Sequence, residues 1–255
     1  MKRIGILLLT ATVSLTASGC IEPSVSSGPI GNTTAVTTTS ATTAPQPLHS
    51  PLFLDGINTH EVISWFNEVC LDAEFVNSGD ATRLQKWYAP IRYNVRGTPT
   101  DADLAVISEF AVYANTIEGF PGIRQADETD YGNLQIRFCS QQELIDILGD
   151  TFQGQDGGVT FWYDGDNRIY QATICIRNDL DQHLRNAVIL EELYNGLGPI
   201  QDTTLRPDSI IYAEFSEPQA LTAVDKLLLK LLYHPQMACG MDADECETVI
   251  RQLYY

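Results

Sequence analysis

The sequence predicts an α/β (α+β) domain over residues 51–255: a small mixed twisted sheet packed against several helices. Three observations carry this reading. Runs that alternate apolar and polar residues, as half-buried strands do, are interleaved with runs at the helical period of about 3.6 residues. Capping signatures stand in front of several helical runs. With 44% hydrophobic and 19% charged residues, the chain can bury a core of ordinary size.

The elements follow in order. Val62, Ile63, Phe66, Val69 and Cys70 recur at helical spacing and predict a first amphipathic helix. Ile91 to Arg96 alternates and predicts a strand. Thr100 with Asp103 forms a capping box that opens a helix through Leu104, Ile107, Phe110 and Ala114. Leu134 to Cys139 alternates again, and Ser140 with Glu143 caps a short helix ending near Gly149. Val159 to Tyr163 and Arg168 to Ile176 read as two strands joined at Asp164-Gly165-Asp166-Asn167, a hairpin turn signal. A calcium loop would need ligands that this spacing lacks, so a turn is expected. After Asp181 the chain is mainly helical: Leu184 to Leu197, Thr222 to Tyr233 behind a Thr222/Asp225 capping box, and Ala243 to Leu253.

The N-terminal fifth is different in kind. Lys2-Arg3 precedes a mostly apolar run from Ile4 to Leu15, too short to span a bilayer, and Ala17-Ser18-Gly19-Cys20 follows. This resembles the lipobox of bacterial lipoproteins, with Ala17 where leucine is usual. The resemblance implies a signal peptide over 1–19, cleavage before Cys20, and acylation (palmitate among the chains) of that cysteine. Each buried CH₂ contributes about 0.8 kcal/mol to such an anchor. Residues 20–50 would be the lipidated cysteine and a Thr/Ser/Pro tether, too poor in large apolar side chains to fold. Ile21 is not the aspartate associated with inner-membrane retention, so the outer membrane is preferred. The formal charge of −18 disfavours nucleic acid and anionic lipid surfaces as partners.

An exported chain favours disulfides. Cys239 and Cys246 flank a short glycine-containing turn and are the first expected pair. Cys139 and Cys175, both on predicted strands, are a possible second pair, and Cys70 is then left free.

The informative stretch is Glu191-Glu192-Leu193-Tyr194-Asn195-Gly196-Leu197-Gly198-Pro199-Ile200-Gln201-Asp202. Glu191 and Asn195 share a helix face, and Gly198 is placed to end the helix and turn Gln201 back. Two ligands one helical turn apart and a third after a glycine turn is how a three-ligand zinc site is built. The stretch resembles the metzincin motif H-E-x-x-H-x-x-G-x-x-H, with Glu191, Asn195 and Gln201 at the histidine positions and Glu192 at the catalytic glutamate. Pro207 to Ile211 resembles the family's Met-turn, with Ile211 where methionine would stand. Leu221 to Tyr233 resembles the closing helix of matrixin-like domains. Residues 55–254 are also similar to a family of bacterial exported domains of unknown function, through Trp87, the Glu-Glu helix, Pro235 and Gly240-Met241. These resemblances imply a zincin-like fold with an active-site-type helix and no established activity.

Zinc takes imidazole, thiolate or carboxylate, whereas Asn195 and Gln201 offer neutral amide oxygens. His49, His60, His183 and His234 do not restore the set by spacing. No cofactor or metal is therefore expected. The expected function is a non-catalytic binding or structural module of the bacterial envelope. It would hold a peptide, a cell-wall fragment or another envelope protein, and meet the membrane only through its lipid. The glutamates would belong to a polar cluster satisfied by Arg185, Arg206 or Gln201. The alternative is an atypical metallopeptidase with Glu192 as general base and Glu191, and Asp202 with it, as ligands.

Overall fold

A computed structural model describes residues 6–10, 52–71, 83–127, 129–214 and 217–255. Cys20 and the tether lie outside these residues. Among the described residues, no helix is long and apolar enough to cross a membrane.

Among the described residues, seven strands form one sheet: β1 (Ile6–Thr10), β2 (Lys86–Trp87), β3 (Ile91–Gly97), β4 (Ile123–Gln125), β5 (Leu134–Cys139), β6 (Gly157–Tyr163) and β7 (Arg168–Arg177). Six α-helices among the described residues accompany them: α1 (Thr59–Leu71), α2 (Asp101–Ala114), α3 (Gln141–Leu148), α4 (Gln182–Asn195), α5 (Ala223–Tyr233) and α6 (Ala243–Leu253). The strand order is β1-β6-β7-β5-β3-β4, with β2 paired to the start of β7. β3, β4, β5 and β7 run parallel, and β6 is antiparallel to β7. β1 comes from the apolar run of the expected signal segment and pairs in parallel with β6, Ile6 opposite Val159 through Thr10 opposite Tyr163.

The local causes are those the sequence announced. The capping boxes at Thr100/Asp103, Ser140/Glu143 and Thr222/Asp225 all form, and Asp242/Glu245 adds a fourth in front of α6. At the β6–β7 turn, Asp164 accepts the backbone N–H groups of Asp166 and Arg168 at 2.9 and 3.0 Å, while Asn167 takes a left-handed φ of 60°. The turn thus uses Asp164 on its own backbone.

Both faces of β6 and β7 are covered. Gly158 meets Phe152 and Leu148 on the α3 side, where Cys139, Leu144 and Cys175 complete a small apolar cluster. Gly157 faces α4 instead, meeting Val188 and Glu192. The main core lies on that side, between the sheet and α1, α2, α4, α5 and α6.

Candidate functional site

α4 carries the site, and its first half is held by a buried ion pair. Asp181 caps the helix, accepting the N–H groups of His183 and Leu184. Arg185 Nε reaches Asp103 of α2 at 3.0 Å, and its other N–H groups go to the carbonyls of Asn178 and Leu180 and to Gln182 Oε1. Asp103 is fully buried. Burial by itself would raise its pKa, but hydrogen bonds from Thr100, Gln182 and Arg185 outweigh that and hold the carboxyl below its usual range. One carboxylate thus starts α2 and ties it to α4.

This pairing corrects an expectation. Arg185 is committed to Asp103, about two turns before Glu192, and Arg206 pairs with Asp208 at 2.7 Å. Gln201 Oε1 meets no hydrogen-bond partner among the described residues. The guanidinium groups are therefore spent away from the α4 glutamates.

The second half of the helix presents Glu191, Glu192 and Asn195 at 1%, 0% and 0% exposure. Glu192 lies against β6: a Cβ on Gly157 would come 2.9 Å from its Oε1 and 2.5 Å from Val188 Cγ1. Glycine at 157 is what lets the helix approach the strand this closely. Asn195 lies one turn beyond Glu191, and neither of its amide atoms meets a hydrogen-bond partner among the described residues.

α4 stops at Asn195, two residues before the sequence predicts, because the chain turns through Gly196 to Gly198. Trp87 Nε1 donates to Gly196 O at 2.8 Å, and the Tyr233 hydroxyl donates to Leu197 O at 2.6 Å. Gly198 has φ +128°, and a Cβ there would sit 2.7 Å from Gln85 O. Conformation and close approach both demand glycine. The chain then passes α1: Ile200 N–H donates to Val69 O at 2.8 Å, and Glu68 accepts from the Thr204 N–H and from the hydroxyls of Thr203 and Thr204. Gln201 and Asp202 lie half-buried between these ties.

The following turn is anchored as tightly. Buried Asp225 accepts from the Ser209 hydroxyl at 2.6 Å, from Ile210 N–H at 3.1 Å, and from the backbone and hydroxyl of Thr222. Ser209 is thereby a structural hydroxyl, holding the 207–211 segment to the start of α5.

The histidines stand elsewhere. His60 Nδ1 contacts the Ser64 hydroxyl, His183 is 61% exposed near Glu217, and His234 caps α5. Among the described residues, no group of three or more His, Cys, Asp or Glu side chains is arranged to hold a metal. Glu191, Glu192, Asn195, Gln201 and Asp202, along α4 and the chain after its turn, are carboxylates and carboxamides, whose oxygens are hard donors.

The sequence profile of a family described as "Protein of unknown function (DUF2927)" matches residues 59–252, from the first residue of α1 nearly to the end of α6. The chain belongs to the DUF2927 family. Among curated proteins, none matches the sequence.

The cysteines of the DUF2927 domain differ from the expected pairing. Cys70, Cys139, Cys175, Cys239 and Cys246 are all free thiols. Cys239 and Cys246 do not bond because they point to different places. Cys239 Sγ turns to the Lys86 carbonyl at 3.7 Å, while Cys246 is buried on α6, near enough to Cys70 of α1 to add to the burial that pushes the Cys70 thiol up. Cys139 and Cys175, on neighbouring strands, share a hydrogen bond that holds Cys139 below and pushes Cys175 above the ordinary thiol range. Sequence reasoning missed the burial of Lys86, whose ammonium donates to the carbonyls of Leu232 and Met237. A lysine between Gln85 and Trp87 gives no pattern that marks it.

Proposed function

We propose that this DUF2927 protein is an envelope lipoprotein, tethered through acyl chains on Cys20, whose zincin-like domain binds an extended peptide or partner strand without cleaving it. The observation that carries this reading is the edge of β6. Five residues of extended chain pair along it, Ile6–Thr10 against Val159–Tyr163. Those residues belong to the segment that export would remove, which leaves a row of unpaired backbone groups on the mature domain. Strand addition to such an edge draws its affinity from main-chain hydrogen bonds.

Support for a non-catalytic site comes from chemistry at the α4 turn. A hydrolytic zinc needs anionic or imidazole ligands to bring its water to a pKa of about 7. Asn195 and Gln201 supply neither. Support for the zincin-like frame comes from α4 packed under the antiparallel strand β6, the left-handed Gly198 turn and the Asp225-anchored 207–211 segment.

The test uses the mature chain with Cys20→Ser, run against extended decapeptides beside elemental analysis. Peptides retained intact, with no tightly held transition metal, support the reading. EDTA-sensitive cleavage that is lost in Glu192→Gln overturns it in favour of a metallopeptidase, and no peptide held or cut overturns the strand-binding claim. For the tether, wild type should take up labelled palmitate and fractionate with outer membrane, and Cys20→Ser should do neither.

A further inference from the structure

Away from the α4 glutamates, a cavity of about 610 Å³ opens between β2, the β6–β7 turn, the Gly119–Pro121 segment and the loop from Tyr233 to Gly240. Sites for small molecules typically span roughly 300–1,000 Å³. Trp87, Pro235 and Gly240, through which the chain resembles the family of exported domains, all line this cavity. Its lining carries two cations against one acid. Lys86 and Arg168 line it, with Asp166 as the opposing charge, on a protein whose formal charge is −18.

A cation and an aromatic ring stand together at its rim. The Arg168 guanidinium lies 4.7 Å from the centroid of the Tyr88 ring and is steadied by Asp166 at 3.1 Å. Tyr88 is 69% exposed, a large aromatic surface left at the rim. Lys86 is buried deep in the wall, its ammonium 5.5 Å from the Tyr233 ring centroid. Burial lowers its pKa to about 8, while the carbonyls of Leu232 and Met237 hold the ammonium in the wall. We propose that this cavity binds a small aromatic carboxylate, the carboxylate meeting Arg168 and the ring lying beside Tyr88. The planar guanidinium fork suits a carboxylate, and an exposed tyrosine suits a flat ring. The cavity shares no residue with the β6 edge apart from the adjoining turn, so this site and the peptide reading stand or fall separately.

Cys239 provides the readout. It lines the cavity and is the one thiol among the described cysteines that is not buried. The mature chain is titrated with benzoate, 4-hydroxyphenylacetate and N-acetylphenylalanine, each beside its uncharged amide and beside inorganic phosphate. Binding is followed by ligand-observed NMR and by the rate of Cys239 alkylation with iodoacetamide, located by peptide mass. At least one carboxylate should bind with a Kd on the order of 0.1–1 mM, slow alkylation several-fold, and beat its amide by about tenfold. Arg168→Gln should erase that preference without lowering Tm, and Tyr88→Ala should weaken carboxylate and amide alike. Equal binding of acid and amide overturns the proposal. So does tighter binding of phosphate alone, binding that leaves Cys239 unprotected, or no binding by any probe.

Discussion

The two halves of α4 bury polar side chains in opposite ways. In the first half, Arg185 and Asp103 are both inside, and each finds several partners. In the second half, Asn195 is as deeply buried, yet neither amide atom meets a partner among the described residues. Unsatisfied buried polar groups cost about 1–3 kcal/mol each. A folded domain retains such a cost where something other than stability selects the residue. The first half therefore belongs to the architecture, and the second half is the candidate site.

The largest test of that division is to break the first half. Arg185→Leu should leave the Asp103 carboxylate buried without its cation and cost about 3–5 kcal/mol. Thermal unfolding should show a fall in Tm of roughly 6–20 °C, at about 2–4 °C per kcal/mol for a domain of this size. The same pair sets an acid dependence. Because the folded pKa of Asp103 lies below its unfolded value, its contribution is fully present above about pH 4 and is lost as pH falls through the folded value. Urea midpoints of wild type and Asp103→Asn should therefore converge on acidification below pH 4. A gap that stays constant would remove the ion pair from the account.

That architecture was largely legible in the sequence. Strict alternation marked Leu134 to Cys139 to the residue, and three capping boxes fixed helix starts because a side chain and a backbone N–H three residues apart satisfy each other locally. What could not be read was set by distant partners. β2 and β4 are two and three residues long and exist only because a longer strand lies beside them. Arg185 stood as a candidate partner for the glutamates, but nothing local said that α2 would deliver Asp103 to it first. The same limit applied to Cys239 and Cys246. Their spacing allows a bond, and the directions of α6 and of the loop before it decide otherwise.

The glycines around the second half come next. Gly198→Ala should cost about 3 kcal/mol, combining strain at a left-handed φ with a clash against a backbone carbonyl, since the new Cβ would sit 2.7 Å from Gln85 O. Gly157→Ala should cost about 1–3 kcal/mol as simple overpacking, because the atoms it meets belong to the Val188 and Glu192 side chains. The two separate cleanly in a peptide-binding assay. Gly157→Ala moves the strand that accepts the peptide and should weaken binding by more than its stability loss suggests. Gly198→Ala acts through the α4 turn and should track stability. If both variants bind peptide like wild type after correction for the unfolded fraction, the β6 edge is not the docking surface.

The smallest expected effect is the most informative one. Asn195→Leu replaces an amide by an apolar side chain of similar volume, so it removes the desolvation cost without opening a cavity. Urea unfolding should place the variant within about 1 kcal/mol of wild type, or above it. The same change at a residue whose hydrogen bonds are made, such as Asn115, should cost clearly more, because there Nδ2 and Oδ1 hold Ile123 O and N at 2.8 Å. A stable Asn195→Leu variant that no longer retains peptide would show that the amide serves the site and not the fold. A loss of about 2 kcal/mol or more would mean that Asn195 is held by bonds of its own, and the contrast between the halves of α4 would fail.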